Sequence, residues 1–171
     1  MSRADRSSML RVDQAGEFGA TRIYAGQLAV LGDRHPSSAE IRHMAAQERD
    51  HLARFNALLA ERGVRPTALQ PFWQVAGFAL GAATALIGPE AAMACTAAIE
   101  TEIDLHYTQQ LEELGDDDPE LGAAIREFRD DEREHRDKAL AAGAERAPAY
   151  PLLSAAIRLG CRAAIRLSER F

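Results

Sequence analysis

The sequence predicts an all-α protein: a bundle of four long helices with two shorter helices added. Three observations carry this. No Val/Ile/Thr-rich alternating run occurs anywhere in the chain. Alanine, leucine, glutamate and arginine dominate, and all favour helix. Glycine and proline fall at breaks between periodic segments, where helices should start and stop. The 171 residues suit one compact domain, 1–171, with a sizeable core.

The first helix is expected from about Ser8 to Leu31, closed by Gly32. Ser37-Ser38-Ala39-Glu40 has the form of a capping box and should open the second, which Gly63 ends before Pro66. A short apolar helix is expected from about Leu69 to Ile87. Gly88-Pro89 resets the chain, with Pro89 at a first helical position, and the fourth helix runs to Leu114. Asp118-Pro119, an N-cap followed by proline, opens the fifth, which ends near Gly143. Pro148 and Pro151 precede a sixth helix that reaches the C-terminus. Short connections make antiparallel neighbours, so a bundle is the default architecture.

Composition narrows the function. The net charge is −6, which disfavours a nucleic-acid partner led by a basic field. Two cysteines, Cys95 and Cys161, make neither a disulfide framework nor a four-cysteine zinc site, and suit a reducing, intracellular setting. The charged N-terminus has no signal-peptide pattern. Phe72 to Ile87 is free of charge but shorter than the about 20 residues a spanning helix needs. It should be buried or lie in a membrane surface.

The core positions carry the decisive signal. Stepping by three or four residues, the inward registers run through Glu17, Tyr24 and Leu28; Met44, Glu48, His51 and Phe55; Met93, Glu100, Ile103 and Tyr107; and Ile125, Phe128, Glu132 and His135. Each apolar stripe is interrupted by one Glu, or by a Glu and a His. The pattern repeats: Glu17 is followed 31 residues later by Glu48-Arg49-Asp50-His51, and Glu100 is followed 32 residues later by Glu132-Arg133-Glu134-His135. Residues three apart share a helix face, so each Glu-x-x-His aims two side chains at one place. Four core carboxylates repel one another and are costly to desolvate, and two divalent cations would cancel their charge. Carboxylate with imidazole suits iron or manganese, with zinc possible. One Glu from each of two helices and Glu-x-x-His from each of the others is the arrangement of ferritin-like di-metal carboxylate proteins. The metal ligands are therefore expected to be Glu17, Glu48, His51, Glu100, Glu132 and His135.

Asp131 and Gln47 each directly precede a ligand Glu and could accept the free N–H of a histidine across the bundle. Tyr107 follows the inward register and is a candidate to gate the site or move protons. Glu102, Asp104, Asp130 and Glu134 fall on other faces and should be solvated, and His35 and His43 should be surface residues. Trp73 and its apolar neighbours suit a lipid–water interface. Arg158, Arg162, Arg166 and Arg170 make a basic stripe on the last helix, beside apolar residues, as membrane-surface helices do.

Longer strings then carry a family resemblance from about Leu10 to Phe171. They include Arg11-Val12-Asp13-Gln14-Ala15-Gly16-Glu17-Phe18-Gly19-Ala20, Arg22-Ile23-Tyr24-Ala25-Gly26-Gln27, Glu48-Arg49-Asp50-His51-Leu52 and Arg65-Pro66-Thr67 with Pro71-Phe72-Trp73. Gly77-Phe78-Ala79-Leu80-Gly81, Ala92-Met93-Ala94-Cys95-Thr96, Glu132-Arg133-Glu134-His135, Ala147-Pro148-Ala149-Tyr150 and Leu167-Ser168-Glu169-Arg170 complete them. The chain resembles the demethoxyubiquinone hydroxylases of ubiquinone biosynthesis. The resemblance implies that the six residues bind two iron ions. It also implies O₂-dependent hydroxylation of a polyprenyl demethoxy-benzoquinone, with NADH as the ultimate reductant. No Gly-rich dinucleotide fingerprint is present, so electrons are expected to pass through the quinone. The absence of a mitochondrial leader suggests a bacterial member or a trimmed mature form. The expected location is the cytoplasmic face of the bacterial inner membrane, or the matrix face of the mitochondrial one. A lipid-binding partner protein from the same pathway is also implied. The alternatives on the same site are a ferroxidase and a peroxide-reducing di-iron protein.

Overall fold

The computed structural model describes residues 3–171, with side chains from residue 6 onward. In chain order it contains α1 (Arg3–Leu31), α2 (Ser38–Arg62), α3 (Gln70–Ile87), α4 (Pro89–Leu114), α5 (Pro119–Ala141), a 3-10 turn (Ala144–Arg146) and α6 (Tyr150–Arg170). The described residues contain no strand. The fold is the expected all-α ferritin-like bundle. α1 pairs with α2 and α4 with α5; α3 lies along α1, and α6 lies across α4 and α1.

The local signals were read with mixed accuracy. Asp118 caps α5 as expected, its carboxylate accepting from the Leu121 N–H at 3.1 Å. The capping box at Ser37 does not form. Ser37 is helical in its backbone angles and makes no side-chain cap. The Ser38 hydroxyl instead donates to the Gly32 carbonyl at 2.6 Å, tying the α1–α2 connection shut. Pro151 sits within the first turn of α6, where a missing N–H costs nothing, and does not precede it. α1 begins at Arg3, earlier than the expected Ser8.

Two apolar clusters flank the middle of the bundle. One joins Leu10, Phe55, Leu58, Tyr107, Leu121, Ile125 and Phe128. The other joins Tyr24, Ile41, Met44, Met93, Ala97 and Ala139. α3 approaches α1 unusually closely, and glycine permits it. A Cβ on Gly81 would lie 1.9 Å from the Ile23 carbonyl oxygen, and one on Gly26 would lie 2.2 Å from that of Phe78. The two backbones interlock through these positions.

Two surface expectations need correction. Glu102 is buried, not solvated. It accepts from Arg158 Nε at 2.5 Å and pairs with Arg162 Nε at 3.0 Å, both on α6. Two members of the expected lipid-facing arginine stripe therefore serve as an anchor between helices. Asp104 is likewise engaged, with Arg133 at 2.8 Å and Arg136 at 3.1 Å. Asp130, Glu134 and His43 are exposed as expected, and His35 is half-buried.

The apolar character of α3 remains on the outside. Phe72, Val75, Leu86 and Ile87 are all more than half exposed, as are Leu152 and Leu159 on α6. Trp73 is half-buried, its indole N–H donating to the Ser168 hydroxyl at 3.1 Å and joining α3 to α6. No described helix is long and apolar enough to cross a membrane.

Candidate metal centre

The six residues singled out by periodicity converge between the two apolar clusters. Glu17 comes from α1, Glu48 and His51 from α2, Glu100 from α4, and Glu132 and His135 from α5. All six are buried. They form two quartets: Glu17, Glu48, His51 and Glu132, and Glu48, Glu100, Glu132 and His135. Within each quartet, one ligand-capable atom per residue lies within 4.8 Å of all the others. Glu48 and Glu132 belong to both. The site is thus two half-sites, each with its own lone Glu and its own His, joined by two shared carboxylates.

The histidines are oriented alike. His51 turns Nδ1 inward, 3.2 Å from Glu132 Oε1 and 3.5 Å from Glu17 Oε2. Its Nε2 points outward to Asp131 Oδ2 at 3.0 Å. His135 turns Nδ1 inward, 3.1 Å from Glu48 Oε1 and 3.2 Å from Glu132 Oε2, while Nε2 meets Gln47 Oε1 at 3.1 Å. Asp131 and Gln47 therefore occupy the outer positions the sequence suggested. An acceptor on Nε2 fixes the proton there and leaves Nδ1 free to donate its lone pair inward.

The electrostatics show a cluster short of positive charge. Burial pushes the Glu48 carboxyl well above the usual carboxylate range, and Glu132, Glu17 and Glu100 push it further. Burial, then Glu132, raises Glu100 in the same way. Glu132 goes the other way. Burial opposes its charge, yet the adjoining His135 and His51 bring it down to about 2. Burial also opposes a charge on His51, but Glu132 and Glu17 raise it to about 11. Glu17 Oε2, both oxygens of Glu48, Glu100 Oε2, Glu132 Oε1 and His51 Nδ1 are buried without a hydrogen-bond partner. Buried polar atoms are almost always satisfied, so six orphans within these two quartets fit the donor set of a cation pair.

Two tyrosines brace the lone glutamates. Tyr107 donates to Glu17 Oε1 and Tyr24 donates to Glu100 Oε1, the latter at 2.6 Å. Tyr107 was a candidate; Tyr24 was read only as core. The signal was in the repeat, because each tyrosine follows the lone Glu of its own helix by seven residues. Asp13 was also missed. It is buried, with His106 Nε2 at 3.5 Å and neither carboxylate oxygen hydrogen-bonded. Burial raises its carboxyl above the usual range.

The family model described as ubiquinone biosynthesis protein COQ7 matches residues 4–168. The chain belongs to that family. A relative from Rhodospirillum rubrum, named 3-demethoxyubiquinol 3-hydroxylase, is 60% identical over 161 residues, covering 94% of this chain and 76% of that protein. The human relative is named NADPH-dependent 3-demethoxyubiquinone 3-hydroxylase, mitochondrial. It is 53% identical over 174 residues, covering 99% of this chain and 80% of its own. The yeast relative from Saccharomyces cerevisiae, 5-demethoxyubiquinone hydroxylase, mitochondrial, is 43% identical over 178 residues, covering 95% and 76%. The human name specifies NADPH where the sequence reading expected NADH.

In this COQ7-family chain an apolar cavity of about 500 Å³ lies beside the centre, between α1, α3, α4 and α6. Asp13, His106 and Tyr107 line one end, and Ile23, Leu80 and Leu153 line the rest. Tyr107 thus lines the cavity, and its hydroxyl reaches Glu17. Tyr24 does not line it.

Proposed function

We propose that this chain is a demethoxyubiquinone hydroxylase that uses O₂ at a di-iron centre, held by Glu17, Glu48, His51, Glu100, Glu132 and His135. The observation that carries this reading is the pair of quartets sharing Glu48 and Glu132 beside an apolar cavity. The relatives' names supply the reaction class. Iron fits the donor set of hard carboxylates and borderline imidazoles. Two irons there supply activation of O₂, one atom of which enters the quinone ring while the other leaves as water.

The chain's own residues account for the rest. The apolar walls hold the prenylated ring and exclude water. Tyr107 holds a proton at its hydroxyl, between the cavity and Glu17, and is the candidate for delivering it as oxygen is reduced. Asp131 and Gln47 keep the imidazoles in the orientation that offers Nδ1 to metal. Reducing equivalents originate in a pyridine nucleotide and reach the centre through the quinone. The exposed apolar residues of α3 and α6 rest on the membrane surface from which a polyprenyl substrate must be drawn, and a lipid-binding partner assists the transfer.

The test is incubation of iron-loaded protein with a short-tailed demethoxy quinone, pyridine nucleotide and ¹⁸O₂, followed by mass spectrometry. A product carrying one ¹⁸O is expected. Iron oxidation with the quinone unchanged would overturn the hydroxylase reading and favour a ferroxidase.

A further inference from the structure

The bundle has a second opening, on the side away from the apolar cavity. The long helices pack in pairs, α1 on α2 and α4 on α5, but α2 and α5 make no comparably close approach to each other. Between them lies an open cleft of about 570 Å³. His51 lines it, whereas none of the six metal-centre residues lines the apolar cavity. Gln47 and Asp131 line it too, and these are the groups that meet the outward Nε2 atoms of His135 and His51. The outer edges of both imidazoles therefore turn toward this one cleft. His51 is 3% exposed and its inward Nδ1 has no hydrogen-bond partner, so a buried donor of the centre forms part of the cleft wall.

The walls of the cleft suit a cation. Four carboxylates line it, from Asp50 on α2 and Glu120, Glu127 and Asp131 on α5, with the single guanidinium of Arg54. Arg54 is taken up by Glu120 at 2.8 Å. Asp50 and Glu127 are exposed and form no ion pair among the described residues. Walls of one charge sign focus the field of a cleft and concentrate counter-ions in it. Helical spacing makes the set continuous. Gln47 and Asp50 are three apart on α2, and Glu127 and Asp131 are four apart on α5, so each pair shares a face. Ala123, on the same face of α5, adds no bulk. A hard divalent ion exchanges its water for carboxylate and amide oxygens, and the cleft supplies both. The apolar cavity does not. Among the described residues Asp13 is the one carboxylate lining it, and an ion there would lose its water with little in return.

We propose that the α2–α5 cleft is the path by which divalent metal reaches the centre. Asp50 and Glu127 draw the hydrated ion to the mouth, and Asp131 and Gln47 receive it beside the two histidines. This rests on the di-metal reading above. It gives metal and organic substrate separate ways into the bundle.

The test is the rate at which Co²⁺ binds the metal-free full-length protein at low ionic strength, followed by stopped-flow absorbance of the bound ion. Release to excess chelator is followed in the same way. Two alterations of the cleft are compared with the wild type at equal helical content: the double variant Asp50→Asn/Glu127→Gln, and Ala123→Trp, which fills the cleft without changing charge. Glu112→Gln/Asp116→Asn removes two exposed charges elsewhere and serves as the control. The double variant is expected to load at least about fivefold more slowly and to lose most of its dependence on salt, while the control does neither. Ala123→Trp should slow loading and release by the same factor and leave the affinity unchanged, because a path is shared by both directions. Loading at the control's rate in either cleft variant overturns the path. So does a weaker affinity in Ala123→Trp, which would place the change in the bound centre. A wild type that takes up no Co²⁺, or no more than Glu48→Gln does, would instead remove the di-metal reading on which the path depends.

Discussion

The Tyr24 hydroxyl donates to Glu100 Oε1 at 2.6 Å, reaching across the bundle from α1 to α4. Tyr107 does the same in reverse, from α4 to Glu17 on α1. Each tyrosine sits two turns beyond the lone Glu of its own helix and braces the lone Glu of the other. The duplicated helix-pair pattern therefore extends past the six expected ligands, and the two halves of the site hold each other in place. The halves differ in their relation to the apolar cavity: Tyr107 lines it and Tyr24 does not.

That difference predicts separable variants. Tyr24→Phe and Tyr107→Phe each strip a buried carboxylate of its donor, so each should destabilise the protein by about 1–3 kcal/mol, a fall of several degrees in Tm. Thermal melts check this. Steady-state kinetics should then separate the pair, with Tyr107→Phe lowering kcat through loss of the proton held beside the cavity and Tyr24→Phe leaving KM for the quinone unchanged.

On the proposed di-metal reading, Glu48 is the clearest case of function opposing stability. Its carboxyl is shared by both quartets and is pushed well up by burial and by three neighbouring glutamates. Glu48→Gln should leave the metal-free protein as stable as the wild type or more so, since it removes a buried acid that cannot easily ionise. The same substitution should abolish binding of both metals and lower turnover by at least about a hundredfold. Melts of metal-free protein and metal analysis provide the two readouts. A Glu48→Gln protein that is much less stable yet still loads metal would contradict this assignment.

Stability of the metal-free protein should depend on pH with a definite sign. The folded value for His51 is about 11, against an ordinary value of 6.5. Between these, the folded protein holds a proton that the unfolded chain has released. Its stabilising contribution is complete below about pH 6.5 and is lost as pH rises toward 11. Glu48 and Glu100, whose carboxyls are also raised, lose stability in the same direction above the usual carboxylate range. The stability of the metal-free protein, and with it Tm, should therefore fall from pH 6.5 to 9, His51 alone accounting for at most about 1.4 kcal/mol per pH unit. With metal bound, the cations replace these protons and the dependence should flatten. A metal-free Tm that rises over this range would contradict the assignment.

Gly81 tests the close approach of α3. Its missing Cβ makes room for the Ile23 carbonyl oxygen, which would stand 1.9 Å away from a side chain there. Gly81→Ala should force α3 off α1 and destabilise by about 1–3 kcal/mol, visible as a lower Tm and faster proteolysis within α3. Gly16→Ala, where no atom lies within 4 Å, should be neutral or stabilising.

How much was legible in the sequence follows from which helix each signal depends on. Glu17, Glu48, Glu100, Glu132 and both histidines were readable because each breaks an apolar stripe on its own helix. The outer partners Asp131 and Gln47 were readable because they adjoin those residues. Glu102 was misread because its own face of α4 carries no sign that α6 covers it. Only the meeting with Arg158 and Arg162 reveals a buried anchor. Asp13 and His106 were missed for the same reason, since their relation spans α1 and α4. The Ser37 box failed because the Ser38 bond to Gly32 spans a loop whose shape no local rule prescribes.

The most direct test of the account is a metal titration of the metal-free chain, followed by anomalous X-ray diffraction of the loaded crystal. Two metal ions per chain are expected, one in each quartet, with Glu48 and Glu132 touching both and each histidine bound through Nδ1. A single ion, or ions bound outside these six side chains, would contradict it.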